Sequence, residues 1–273
     1  MNFIELEQKA RRIRLDALEC TVKKGRGHLG GTYSCVDLLV ALYNGGILRV
    51  DPSRPEWPDR DRFILSKGHA CLALYAILVD LGFMPQGRLD TYGDNGGLGG
   101  QLDMSIPGVD WNTGSLGHAL GVAAGMAMAA RMDGRDYGAF TILGDAEMAE
   151  GSVWEAIAFA GDQRLANLVG IIDRNRLSVT DVLEDEGIFR NFGGTMEGLG
   201  WAWEEIDGHD IPSVVDALLR SRKSDKPTMI LANTIKGKGV SFMENTLKWH
   251  HSVPSSVELA IARKELGLDV EGR

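Results

Sequence analysis

The sequence is short of cysteine, of basic charge and of long apolar runs, and each shortage excludes something. Three cysteines in 273 residues, Cys20, Cys35 and Cys71, have no metal-type spacing. Each lies in a stretch that reads as helical, so they are expected as buried small hydrophobes in a reducing compartment. Lysine and arginine number 29 against 38 acidic residues, a net charge of −9, which argues against nucleic acid and against a basic membrane-binding face. The longest weakly polar run, "LGHALGVAAGMAMAA", is too short and too rich in Gly and Ala to span a bilayer. The N-terminal "MNFIELEQKARRIRLDALE" alternates charge with apolar residues at helical spacing, unlike a signal or transit peptide. No G-x-G-x-x-G or Walker pattern follows a strand. These features place the chain in the cytoplasm, with small molecules and other proteins as partners and neither nucleic acid nor membrane among them.

What is abundant is glycine: 35 residues, nearly twice the share expected from an average usage of about 7%. Without a collagen-like period, that density points to tight turns and backbone brought close to ligands. Helical spacing covers residues 3–24, 35–44, 69–82 and 115–132. Short strands follow at 138–143, 167–173, 201–207 and 227–234, with helical stretches near 152–162 and 211–223 between some of them. Alternation of that kind is the signature of parallel βαβ units. The expected fold is α/β: a doubly wound, mostly parallel sheet flanked by helices, one domain over residues 1–273, with a short helix after Pro254 and neither repeat nor linker.

The stretch "TILGDAEMAEG" (141–151) puts three acids behind a strand. Ser152 and Glu155 form a capping-box pattern that starts a helix at about Ser152, leaving 144–151 as a loop at the carboxyl end of a parallel strand, where ligands bind. The next strand, "NLVGIID", runs into "RNRLS", and a right-handed crossover sets it beside the first. Asp145 and Asn175 then face one crevice. A carboxylate, an amide oxygen and a nearby carbonyl form a sparse, hard oxygen set that suits Mg²⁺ bridging a diphosphate. The same acids also suit a helix N-terminus with no metal, and this stretch alone leaves both readings open.

"GDAEMAEG" with Asn175 resembles the thiamine-diphosphate motif of transketolases. "KKGRGHLGG", "RFILSKGHACLALYAIL", "PGVDWNTGSLGHALGVAAGMAMA" and "ANTIKGKGVSFMENTLKWHHS" are similar, in order, to the diphosphate-binding half of that family. The resemblance implies that Asp145, Asn175 and the main-chain oxygen of Leu177 hold Mg²⁺, with Ca²⁺ or Mn²⁺ as substitutes, and so anchor thiamine diphosphate. It implies His69 and His250 near the diphosphate and substrate channel, His28 in substrate proton transfer, and Gly114 and Leu116 against the cofactor rings. Ser115, Gly144 and Ala146 complete the cofactor-binding set, and Glu150 reaches across a subunit interface toward the catalytic glutamate of a partner domain.

Three departures from the family follow. Ala146 replaces the second glycine of the motif, which requires a negative φ there. Gln101 stands where the family has a histidine touching the sugar donor, and an amide cannot gain a proton near neutral pH. The pyrimidine-binding and C-terminal domains are absent. The resemblance therefore implies the N-terminal subunit of a split transketolase, inactive alone and paired with a C-terminal subunit in an α2β2 heterotetramer. It would transfer a two-carbon ketol unit from a ketose or ketose phosphate to an aldose. The alternatives are the alpha subunit of a thiamine-dependent 2-oxoacid dehydrogenase and a non-catalytic regulatory homologue. His118, His209 and His251 are expected to be structural or exposed, the series Gly117, Gly121, Gly125 to permit close packing of a buried helix, and Glu147 carries no assigned role.

Overall fold

A computed structural model describes residues 1–183 and 187–267. Five strands form one parallel sheet: β1 (Arg62–Leu65), β2 (Ala139–Gly144), β3 (Leu168–Arg174), β4 (Ala202–Asp207) and β5 (Thr228–Asn233), in the order β1-β2-β3-β5-β4. β2 and β3 are covered on both faces, which is why they read as nearly continuous apolar runs.

Alternate strand residues feed two cores. Phe63, Leu65, Phe140, Ile142, Val169, Ile171 and Ile230 point toward α1 (Phe3–Lys24), α2 (Leu29–Tyr43), α3 (Cys71–Asp80) and α7 (Ile211–Ser221). Ile64, Leu143, Leu168, Ile172, Met229 and Leu231 point the other way, toward α4 (Ala119–Met132), α5 (Gly151–Asp162) and α6 (Phe192–Gly198). The sheet is thus doubly wound, and every strand ends at the same rim. Among the described residues, no helix is long and apolar enough to cross a membrane. Cys20, Cys35 and Cys71 are free and buried, each in a helix, as expected.

Some boundaries move. α2 starts at Leu29, six residues before the expected start at 35. All of its residues are buried, so it has no polar face to give the helical period, and its first turn needs Gly30 and Gly31 for contact: a Cβ on Gly30 would lie 2.8 Å from the Trp249 carbonyl oxygen. β1, four residues running straight into the 3-10 turn Gly68–Ala70, was not expected at all. α4 begins at Ala119 rather than 115, because Gly117 adopts a φ of 83° that a helix cannot accept. Its Gly121 and Gly125 are exposed, so the glycine series does not pack a buried helix.

The capping box at Ser152 is also corrected. α5 begins at Gly151 with Glu150 as an extended N-cap that makes no side-chain bond, while Ser152 Oγ donates to the Gly117 carbonyl at 3.0 Å. A capping box does occur at Ser255 and Glu258, opening α8 (Ser256–Glu265), the helix expected after Pro254.

His209 is structural, as expected. Arg14 clamps Asp37 with two hydrogen bonds of 3.0 and 2.6 Å, and His209 Nδ1 lies 2.6 Å from the same carboxylate. Its Nε2 accepts from Ile235 N at 2.8 Å, which assigns the proton to Nδ1. Burial would raise the Asp37 carboxyl, but Arg14 and His209 outweigh it and hold it below its ordinary value.

Helix α5, which carries the chain away from the β2 loop, packs so closely on Leu199 that a Cβ on Gly161 would lie 1.7 Å from that carbonyl oxygen. Gly161→Ala should therefore cost about 1–3 kcal/mol in urea unfolding through overpacking. Gly198→Ala, where nothing lies within 4 Å of the new methyl, should be neutral or mildly stabilising; equal effects would refute the close contact as the cause.

Candidate active site

The site forms where four strands stop. β1 delivers Ser66 and Lys67, β2 delivers Asp145, β3 delivers Asn175, and β5 delivers Thr234 and Lys236. β2 and β3 are adjacent with Gly144 opposite Asp173, so Asp145 and Asn175 lie side by side at the rim, as their spacing suggested.

Asp145 opens a 3-10 turn, Ala146–Ala149, and its carboxylate accepts Ala146 N at 2.8 Å and Arg176 N at 2.5 Å. Ala146 is not among the residues with positive φ, so the missing glycine leaves the loop unstrained. Burial, reinforced by Asp173, pushes the Asp145 carboxyl up to about 6. Arg176 turns the chain with a φ of 63°, which brings Leu177 back beside Asn175: Leu177 N donates to Asn175 Oδ1 at 3.2 Å.

One narrow pocket, about 70 Å³, is lined by His69, Leu116, Gly144, Asp145, Ala146, Asn175, Leu177 and His250. Most of the expected cofactor and metal set is thereby gathered in one place. Its wall also holds Gly31, Lys67, Glu147 and Lys236, of which the last three were not foreseen.

Lys236 Nζ donates to the carbonyl oxygens of Leu177 at 3.1 Å and Ser178 at 2.8 Å, and lies 3.2 Å from His250 Nδ1. Burial, with Lys67 nearby, brings this ammonium down to about 8. Lys67 is buried against Asp173 and 3.2 Å from Ser34 Oγ. Glu147 accepts Gly117 N at 2.7 Å, Gly144 N at 3.0 Å and the Ser66 hydroxyl. One buried carboxylate thus ties three loops together, which is a role no spacing in the sequence announces.

Three imidazoles cluster at the pocket edge. The His28, His69 and His250 ring centroids are 5.3–5.6 Å apart, and His251 lies 4.7 Å from His28. Burial is the main cause that lowers His28 and His250 to about 4 and His69 to about 2, so all three are neutral at neutral pH. His28 Nδ1 is buried without a partner.

His28 and Gln101 are not in the narrow pocket. They line an adjoining cavity of about 830 Å³, together with His251. The Gln101 side chain covers Gly68 and Gly114. Ser115 lines a separate cavity with Trp111 and His118. Glu150 is exposed, its Cβ against Gly117, and lies outside both pockets; His118 and His251 are exposed, as expected.

The donor chemistry fits a divalent ion with a diphosphate. Among the described residues no group of three or more His, Cys, Asp or Glu is placed to hold a metal, and the oxygens this pocket offers a cation are the sparse set of Asp145, Asn175 and Leu177. The Leu177 carbonyl already attracts the Lys236 ammonium. Two lysines on the wall suit phosphate oxygens, and the unpartnered His28 nitrogen suits a polar ligand.

The family model for the transketolase thiamine diphosphate binding domain matches residues 6–272. The chain belongs to the transketolase family. Among curated transketolase relatives, an apulose-4-phosphate transketolase subunit of Phocaeicola vulgatus is 41% identical over 271 residues, 98% of this chain and 95% of that protein. The 6-deoxy-6-sulfo-D-fructose transketolase subunit SqwG of a Clostridium species is 41% identical over 251 residues, 91% of each chain. The crystal structure of transketolase from Campylobacter jejuni aligns with a TM-score of 0.89 at 29% identity, covering 98% of this chain. The chain spans only 44% of that structure's length.

The neutral histidines make stability depend on pH. An imidazole whose usual value is 6.5 but which holds about 2 or 4 when folded stabilises fully above 6.5 and loses that contribution as pH falls toward the folded value. His69→Asn should therefore lose less stability than the parent between about pH 7 and about pH 5 in urea unfolding. An identical loss would show that His69 is not held neutral by its site.

Proposed function

We propose that this chain is the N-terminal subunit of a two-component transketolase. Residues 1–273 form one thiamine-diphosphate-binding unit, and the pyrimidine-binding and C-terminal domains reside on a separate subunit, the two assembling as an α2β2 heterotetramer in the cytoplasm. The complex transfers a two-carbon ketol unit from a ketose or ketose phosphate to an aldose. The observation that carries the reading is the convergence of Asp145, Asn175, the Leu177 carbonyl, Lys236, His69 and His250 in one pocket at the strand ends. Near-complete coverage of relatives that are themselves named as subunits supports the split architecture, and the transketolase names favour it over a 2-oxoacid dehydrogenase or a regulatory homologue.

Asp145, Asn175 Oδ1 and the Leu177 oxygen would hold Mg²⁺, with Lys236, His69 and His250 beside the diphosphate. Gly144 and Ala146, on the wall of the same pocket, would lie against the cofactor, and Gly114, Ser115 and Leu116 would supply the segment toward its rings, with Leu116 lining that pocket. When bound, thiamine diphosphate supplies the electron sink for the two-carbon unit. His28, neutral and on the wall of the larger cavity, would be the residue that takes a proton from a sugar hydroxyl. Gln101 offers its amide to a substrate hydroxyl from the wall of the larger cavity. Glu150, outside the pockets and solvent-facing, is available to a partner subunit.

Mixing the chain with its partner, thiamine diphosphate and Mg²⁺ should give ketol transfer that EDTA abolishes. Asp145→Ala and Asn175→Ala should each lower the rate by about a hundredfold or more, the larger effect expected for the carboxylate. Full activity in both variants would sink the metal assignment. Oxidative decarboxylation of a 2-oxoacid with an artificial electron acceptor would replace the reading with the dehydrogenase one, and calorimetry without cofactor binding would replace it with the regulatory one.

A further inference from the structure

The wall of the larger cavity carries two guanidinium groups, Arg26 and Arg88, that none of the chemistry above uses. In a chain of net charge −9, most cations find carboxylates, and the immediate neighbours do: Lys23 pairs with Asp90 and Lys24 with Asp94, both at 2.7 Å. Among the described residues, no carboxylate forms an ion pair with Arg26 or Arg88. Both are without a carboxylate partner among those residues, and they share one concave surface.

Arg26 is held in place by the fold. It follows Gly25, the left-handed residue that ends α1, and its N–H returns to the Thr21 carbonyl. The guanidinium lies over the Tyr92 ring, 5.8 Å from the centroid. It also fills the space a side chain at position 93 would take: a Cβ on Gly93, whose φ is 79°, would lie 1.9 Å from Nη2. Arg88 is half-buried in the 3-10 turn Gln86–Thr91, whose end is tied by Thr91 Oγ1 donating to the Arg88 carbonyl at 2.7 Å. Asp103, the one carboxylate on this cavity wall, is engaged by Ser105, whose N–H donates to it at 2.8 Å and whose hydrogen bonds hold it below its ordinary value.

The cavity therefore joins two chemistries. It meets the histidine cluster through His28, whose ring packs on His69 and His250 of the diphosphate pocket. Its lining also includes glycines and the amides of Gln101 and Asn112. The remaining feature is a pair of planar donors that match a tetrahedral oxyanion with two parallel hydrogen bonds each.

We infer that Arg26 and Arg88 form a subsite on this chain for the anionic tail, phosphate ester or sulfonate, of the sugar whose reacting end lies at His28. The inference rests on the transketolase reading and deepens it: the partner subunit is not the sole source of charge recognition.

The test uses the assembled complex with one sugar in three forms: phosphorylated, sulfonated and without the anionic group. In Arg26→Gln and in Arg88→Gln, the ratio of kcat/KM for the anionic over the neutral form should fall about tenfold, the loss lying in KM. Arg88→Lys, which keeps charge without the planar fork, should fall between. A loss in the phosphate arm, the sulfonate arm or both supports the subsite and says which anion it takes. An unchanged ratio in both arms, or equal loss on the neutral sugar, overturns it. If the parent complex transfers no ketol unit, the catalytic reading fails on its own, and the subsite is read from inorganic phosphate raising the Tm of the full chain. A rise that Arg88→Gln removes supports it; no rise in the parent overturns it.

Discussion

The rim of the sheet is organised by one buried ion pair. Lys67, just past β1, meets Asp173 in β3 across the end of β2, and both side chains are excluded from water. Ser34 Oγ of α2 lies 2.6 Å from the same carboxylate, and the Thr234 hydroxyl beyond β5 donates to its other oxygen. Desolvating two charges is unfavourable unless their remaining hydrogen-bonding capacity is met, and here the added partners meet it. Burial, the largest single influence, would raise Asp173 and lower Lys67, yet the attraction between the two charges together with their hydrogen bonds outweighs it at each, so both stay ionised. Removing one partner alone would strand the other, which in such settings costs about 3–5 kcal/mol. The segments that carry His69, Asn175 and Lys236 each begin within a few residues of this pair or of its Thr234 partner.

Around it the site separates two kinds of nitrogen. The lysines keep their protons and supply charge beside the carbonyls and the carboxylate. The imidazoles of His28, His69 and His250 lose theirs, chiefly because burial disfavours a further cation, with Lys67 and Lys236 adding to the effect at His69 and His250. An acidic chain thus sets two lysine ammoniums on a pocket wall beside its carboxylates and keeps the neighbouring histidines neutral. That combination suits an anionic cofactor and a polyhydroxylated substrate better than either feature alone.

Much of this was legible in the sequence, and the failures have a common cause. Four of the five strands, the doubly wound architecture and the adjacency of Asp145 and Asn175 followed from period and from the handedness of βαβ units. α2 was foreshortened because a helix buried on every side shows no amphipathic period. β1 escaped because four residues are too few to separate from the helix after them. Ser152 matched a capping pattern, but its hydroxyl is spent on Gly117, a long-range choice that local spacing cannot encode. Glu147, Lys67, Lys236 and Asp173 were missed for the same reason: each acts through partners remote in sequence. The family motifs located the pocket, while these buried charges explain how it is held.

The contact of Gly30 with Trp249 has a consequence for synthesis. The start of α2 packs on the carbonyl of a residue more than two hundred positions later, and His250 beside it closes the pocket wall. A chain emerging from the ribosome N-terminus first has its sheet rim largely in hand once β5 is out, yet lacks that wall until residue 250 has followed. A product that ends before residue 250 therefore lacks one wall of this pocket, however complete its sheet.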